Sequence, residues 1–178
     1  ITEMDEYIGQ LWDELEKTGQ LAHTIFIYTS DHGEALGDHG LWYKNNLYDN
    51  AARVPLIIAG GALPKGRTID TPVAHVDLIA TMLEWAGAPM LESAGAVGQS
   101  GLRGHSLRTM IGDGSAGPHP AFAYSESHSE GNAAGGFMIR KGDWKYIHFT
   151  WHDHLLFNVK EDPGEFNNRI SDPAAKSV

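Results

Sequence analysis

Cysteine is absent from the 178 residues, which excludes disulfides, thiolate metal ligands and a thiol nucleophile within them. Positive charge is scarce: 13 Lys and Arg stand against 23 Asp and Glu, a formal net charge of −10. Such a surface repels polyanions, so neither nucleic acid nor an anionic membrane is expected as a partner, and an anionic substrate needs a local cationic site. No apolar run approaches the roughly 20 residues that span a bilayer. Ile1–Gln10 also lacks the basic start and apolar core of a signal peptide, so no membrane span is expected and cytoplasm and periplasm both remain open. What the chain does contain is 42% hydrophobic residues with five Trp and six Phe, enough apolar material for a substantial core and too much for a disordered segment.

Thr2 and Asp5 have the spacing of a capping box, and Met4, Ile8, Leu11 and Leu15 recur at helical spacing up to Gly19, predicting an amphipathic helix over 3–18. A short apolar β-rich run, Ile25-Phe26-Ile27-Tyr28, predicts a strand over 24–29 covered on both faces, as in a parallel sheet. Arg53 to Ala59 reads as a second strand, with Pro55 near its start or at an edge. Val76, Ile79, Ala80, Leu83 and Ala86 predict a helix over about 75–85, stopped by Gly87 and Pro89. Residues 92–104, rich in Ser, Gly and Ala, suit a mobile loop, and 102–112 a short helical turn. From Ala121 the pattern becomes four short strands, 121–125, 136–140, 143–149 and 154–158, with Gly142-Asp143 as a hairpin break. Consecutive strands without helices between them imply an antiparallel sheet. The expected organisation is therefore an α/β part over 1–115 and a small antiparallel β subdomain over 116–178, divided within 112–120.

The stretch Thr24–Lys44, TIFIYTSDHGEALGDHGLWYK, breaks at the carboxyl end of the first strand into a loop crowded with ligand-type side chains. In open α/β sheets ligands bind at that end of the strands. Neighbours in an ideal strand point to opposite faces, so Asp31 and His32 can share one cation only where the strand has ended. Gly33 permits that turn. One hard oxygen beside one imidazole nitrogen suits a divalent metal. Glycines 33, 37 and 40 let backbone approach a ligand, His39 adds an imidazole and Lys44 a cation, which together suit an oxyanion bound beside a metal.

The segment SDHGEALGDHGLWYKNNLYDNAARVPLII resembles the second-half motif of the sulfatases and phosphonate monoester hydrolases of the alkaline phosphatase superfamily. The later LLFNVKEDPGEFNNRI resembles that family's closing strand and turn. The resemblance implies part of an alkaline-phosphatase-like α/β/α sandwich followed by a small antiparallel carboxyl-terminal subdomain. It implies Asp31 and His32 as ligands of one divalent metal (calcium, manganese or magnesium) and Lys44 as a contact of the sulfate or phosphonate oxygens. His39 is a further catalytic candidate, while Glu126 and His128 fall in a region that shapes the substrate pocket. The substrate implied is a small sulfate or phosphonate ester, and the complete enzyme is expected to be a homo-oligomer.

In that family the nucleophile is a formylglycine made in a Cys-x-Pro-x-Arg or Ser-x-Pro-x-Arg motif, with two Asp ligands nearer the amino terminus. Neither motif, nor any Asp-Asp pair, occurs in these 178 residues. The expectation is a carboxyl-terminal portion whose nucleophile lies outside this chain, in a missing amino-terminal half, and which is inactive alone. Two alternatives stay open: a two-metal phosphodiesterase or phosphomutase in which His39 is a later ligand, and a non-catalytic metal- or anion-binding module. Asp77 and His75 read as helix-start residues, Arg53 as a packing or ion-pair residue, and Trp151-His152-Asp153-His154 as a solvated hairpin edge.

Overall fold

The computed structural model describes residues 1–88, 104–112, 119–128 and 134–175. The loop expected at 92–104 and the boundary expected within 112–120 lie mostly outside these residues.

Helix α1 (Thr2–Lys17) forms where the apolar spacing puts it, without the expected capping box. Its cap residue Ile1 has no side-chain donor or acceptor, and its carbonyl simply accepts the first helical N–H, from Asp5. α1 leans on the sheet through Trp12, whose ring stacks on Phe26 at 5.0 Å between centroids.

Strands β1 (Ile25–Thr29) and β2 (Leu56–Gly60) pair with Ile27 opposite Ile58. The pairing is antiparallel, where the apolar run predicts a parallel sheet. Residues 30–55 contain only loops, a 3-10 turn and the four-residue helix α2 (Asp49–Ala52), and they return the chain at the same end of β1. A parallel pair would need a crossover to the opposite end. Arg53, Val54 and Pro55 stay outside β2, consistent with the N–H that proline lacks.

Helix α3 (His75–Trp85) has the predicted limits. Asp77 in its first turn accepts the Ala74 N–H at Oδ2 and the His105 N–H at Oδ1, each at 2.8 Å. Thr81 Oγ1 accepts the Leu107 N–H at 2.9 Å, so one buried face of α3 holds the returning segment that enters α4 (Arg108–Ile111). Among the described residues no helix is long and apolar enough to cross a membrane.

Strands β3 (Phe122–Ser127), β4 (Gly136–Lys141), β5 (Trp144–Phe149) and β6 (Leu155–Asn158) form an antiparallel sheet in chain order. Gly142, at φ 54°, makes the β4–β5 turn. Met138, Ile147 and Phe157 point to one face, where Leu47 from the glycine-rich segment completes a buried cluster with Tyr48, Ala52 and Phe149 packed against it. Each such side chain contributes about 1.5–3 kcal/mol by leaving water. The same contacts fasten the segment after β1 to the carboxyl-terminal sheet.

Candidate active site

The turn after β1 is held from two sides. His75 Nε2, at the start of α3, donates to Ser30 C=O at 2.9 Å. Beyond the turn, the Gly33 N–H donates to Ala51 C=O at 2.8 Å and the Glu34 N–H to Asn50 C=O at 2.9 Å, both carbonyls in α2. Gly33 is needed for this approach: a Cβ there would lie 2.0 Å from Asn50 O. Its backbone is not left-handed, so close packing rather than a positive φ explains the residue.

Asp31 and His32 come together in this turn, with Asp31 Oδ2 3.4 Å from His32 Nε2. Asp31 Oδ1 accepts the His32 N–H at 2.9 Å. That bond, with a smaller effect from the adjacent imidazole, holds the Asp31 carboxyl below its ordinary pKa, so it stays ionised in mildly acidic solution. His32 Nδ1 lies 2.7 Å from Gly33 C=O. A carbonyl can only accept, so Nδ1 carries the proton and Nε2 keeps its lone pair, the arrangement seen in metal-bound imidazoles oriented by a carbonyl.

Two donors, each about 2.1 Å from one ion, stand ~3.0–3.4 Å apart for right-angled or tetrahedral coordination. The Asp31–His32 pair fits that spacing and offers one free oxygen and one free nitrogen. It is half a site: among the described residues no group of three or more His, Cys, Asp or Glu is placed to hold a metal.

The glycine-rich segment folds back on itself. The Ala35 N–H donates to Tyr43 C=O at 3.1 Å and the Gly37 N–H to Leu41 C=O at 2.8 Å. Leu36, His39 and Tyr43 all have φ between 50° and 67°, a conformation that costs a residue with a Cβ energy and persists where surroundings enforce it. Lys44 follows, exposed, its ammonium unpaired among the described residues.

His39 is held by contacts on both ring faces and at Nε2. Its ring stacks between Tyr48, at 4.0 Å, and Phe166, at 4.6 Å, and its Nε2 donates to Gly164 C=O at 2.9 Å. That nitrogen is therefore occupied by a backbone contact. A cavity of about 280 Å³ opens between the Lys44-bearing segment and the sheet, lined among others by Leu41, Asn46, Tyr48, Ser127, Phe149 and His152. Asn46 Nδ2 is buried there without a hydrogen-bond partner.

Glu126 and His128 are hydrogen-bonded, 2.6 Å between Oε2 and Nε2. They alternate with Ser127 and so project to the opposite face from the cavity. The bond from His128, then one from Tyr124, lowers the Glu126 pKa. A carboxylate with a depressed folded pKa stabilises above its unfolded value, and that stability is lost as pH falls through the folded one. NMR titration is expected to show Glu126 protonating below the usual Glu range and moving back toward it in His128→Ala. An unmoved midpoint in that variant would remove His128 as the cause.

The carboxyl-terminal ion cluster was not foreseen from the sequence. Lys145 on β5 is fully buried, with Nζ 2.7 Å from Asp49 Oδ1 and 2.7 Å from Glu165 Oε1. Glu165 Oε2 accepts the Asp49 N–H, the first of α2, at 2.5 Å. Burial of Tyr48 itself, and then the nearby Glu165 charge, raises the Tyr48 pKa. The only sequence signal was Glu165 in the closing turn.

The fold is that of the sulfatases and phosphonate hydrolases of the alkaline phosphatase superfamily: part of its α/β sandwich followed by a carboxyl-terminal antiparallel sheet. The sulfatase family model matches residues 1–88. Arylsulfatase K of Danio rerio is 36% identical over 177 residues, covering 95% of this chain and 32% of the relative. Choline-sulfatase of Rhizobium meliloti is 34% identical, covering 97% of this chain and 32% of the relative. The chain thus spans about a third of the length of these curated relatives. Among solved structures, a protein in complex with its substrate D-glucosamine-2-N,6-O-disulfate superposes with a TM-score of 0.81 at 31% identity, over 97% of this chain and 35% of the other. A phosphonate monoester hydrolase of Agrobacterium radiobacter superposes at 0.80 with 26% identity, over 99% of this chain and 37% of the other.

Proposed function

We propose that the chain supplies the carboxyl-terminal part of a metal-dependent hydrolase of sulfate or phosphonate monoesters. The observation that carries this reading is the Asp31–His32 pair, with Oδ2 and Nε2 3.4 Å apart and the imidazole tautomer fixed by Gly33 C=O. Asp31 and His32 hold one divalent ion, with manganese favoured over calcium by the imidazole ligand. When bound, the ion orients the nucleophile and shares the charge that develops on the ester oxygens. The remaining ligands and the nucleophile, a formylglycine in the resembled family, come from outside these residues.

Lys44 supplies the local cation that a chain of net charge −10 needs for an anionic ester. Its ammonium stands beside the transferring group and gains interaction energy as the equatorial oxygens become more negative. The organic part of the ester lies in the cavity walled by Tyr48 and Phe149, where Ser127 and His152 are the first polar contacts. Glu126 and His128 influence that group only indirectly, from the other face of β3. His39 holds the loop, because its Nε2 is engaged by Gly164. That engagement favours the one-metal reading over a two-metal phosphodiesterase.

Calorimetric titration with Mn²⁺ tests the assignment. Weak binding is expected in the chain and none in Asp31→Ala. Tight binding that persists in the Asp31→Ala, His32→Ala double variant would place the metal elsewhere and overturn the reading.

A further inference from the structure

Most of the residues just discussed lie on segments with few buried side chains, yet the turn carrying Asp31 and His32 must keep its geometry to a fraction of an ångström to be useful. Among the described residues, the carbonyls that fix the amides immediately after it belong to Asn50 and Ala51 in α2. A four-residue helix does not hold its own position, since helix nucleation is unfavourable and so short a segment is unstable alone. What holds α2 therefore matters to the site.

Two groups from the carboxyl-terminal subdomain meet its first residue. Glu165 accepts the Asp49 N–H at 2.5 Å, and Lys145 donates to Asp49 Oδ1 at 2.7 Å. Lys145 and Glu165 face each other at 2.7 Å with side-chain exposures of 0% and 2%, so water scarcely screens that contact, while the Asp49 carboxylate is 22% exposed. Glu165 itself has φ 57°. Its neighbours Gly164 and Phe166 grip His39, so one turn touches the glycine-rich segment on both flanks. A cluster needed only to join two layers of structure would not have to end on the helix whose carbonyls complete the Asp31–His32 turn.

We propose that Lys145 and Glu165 are positioning residues for the metal-ligand turn, acting through Asp49 and the carbonyls of α2. The inference rests on the proposed function for the word metal, but the mechanical link does not. Displacing α2 would release the Gly33 and Glu34 amides and let the Asp31–His32 pair drift from its bite distance. Side chains that orient ligands from a distance in this way change metal affinity without touching the ion.

The experiment measures amide hydrogen exchange by NMR in the wild-type chain, Glu165→Gln and Lys145→Met, with Mn²⁺ affinity from calorimetry in parallel. In Glu165→Gln, exchange at Gly33 and Glu34 is expected to rise about tenfold or more, as local opening of a weakened contact gives. The amides of Ala80 in α3 and Met138 in β4 serve as controls and are expected to keep their rates. Manganese affinity should fall by about tenfold or more, the range for lost outer-sphere support. Lys145→Met, which also lowers global stability, should raise exchange at Gly33 and Glu34 by more than it raises exchange at the two control amides; should it not fold, Asp49→Asn replaces it, because it weakens the same link while retaining a hydrogen-bonding side chain.

Unchanged exchange at Gly33 and Glu34 in a folded variant, or a uniform rise that includes the controls, overturns the proposal and leaves Lys145 and Glu165 as general stabilisers. Faster exchange confined to Gly33 and Glu34, with Mn²⁺ binding insensitive to both Glu165→Gln and Asp31→Ala, supports the mechanical link and sinks the metal assignment instead.

Discussion

Lys145→Met is expected to destabilise the fold by about 3–5 kcal/mol, the range for removing one partner of a buried ion cluster. Methionine matches the lysine stem in length and apolarity, so packing along the stem survives. What is lost is the ammonium between Asp49 Oδ1 and Glu165 Oε1, each 2.7 Å away. Two carboxylates then face each other, Glu165 nearly fully buried and Asp49 22% exposed, and among the described residues the Asp49 N–H remains as the partner of Glu165. A surface lysine such as Lys160, 75% exposed and 3.7 Å from Asp143, would give ~0–1 kcal/mol on the same substitution. Urea unfolding followed by tryptophan fluorescence separates the two cases. The triple variant Lys145→Met, Asp49→Asn, Glu165→Gln is expected to recover most of the loss, because buried ion clusters replaced as a whole are often near neutral. A loss under about 1 kcal/mol in Lys145→Met would mean that the cluster is hydrated and that α2 is held by the Leu47 contacts instead.

The elements that were legible in the sequence are those fixed by local periodicity. α3 was readable to its ends because its apolar residues follow the helical period and Gly87 stops it. The four strands of the carboxyl-terminal sheet were readable because each is a short β-type run bounded by turn residues. Strand pairing was not: Ile25 to Tyr28 is apolar enough for a parallel or an antiparallel partner, and the return through α2 decides between them. The role of Gly33 was read as conformational, whereas the structure makes it a matter of space, set by Asn50 O 17 positions later in sequence.

Lys145 was illegible for a similar reason. In WKYIHF both alternating rows, Trp144, Tyr146, His148 and Lys145, Ile147, Phe149, carry apolar bulk, so nothing local says which row faces inward. Only Asp49, 96 residues earlier, and Glu165 identify the lysine as buried. His39 is the same case. Nothing near it in the sequence shows that Gly164, 125 residues away, accepts the proton of its Nε2. Contacts that hold this loop in shape thus come from residues far away in sequence.

Lys44→Ala, made in the complete enzyme, is expected to lower turnover by roughly two to three powers of ten, the usual loss for one preorganised charge partner of a developing oxyanion. The lysine is exposed and unpaired among the described residues, so its removal breaks no structural contact and metal content should stay the same. The preceding Tyr43, at φ 67°, is tied back through its carbonyl to the Ala35 N–H at 3.1 Å. The backbone just before the lysine is therefore held, while its side chain has no partner among the described residues. A point charge on a flexible stem contacts the ground-state ester loosely and gains most as negative charge grows in the transition state, so the loss should appear in kcat more than in KM. Lys44→Arg should rescue poorly, because the planar guanidinium is longer and spreads its charge away from the oxygens. Unchanged turnover in Lys44→Ala, with metal bound and the fold intact, would reduce Lys44 to a surface residue of the loop and leave the anion to be held by groups outside these 178 residues.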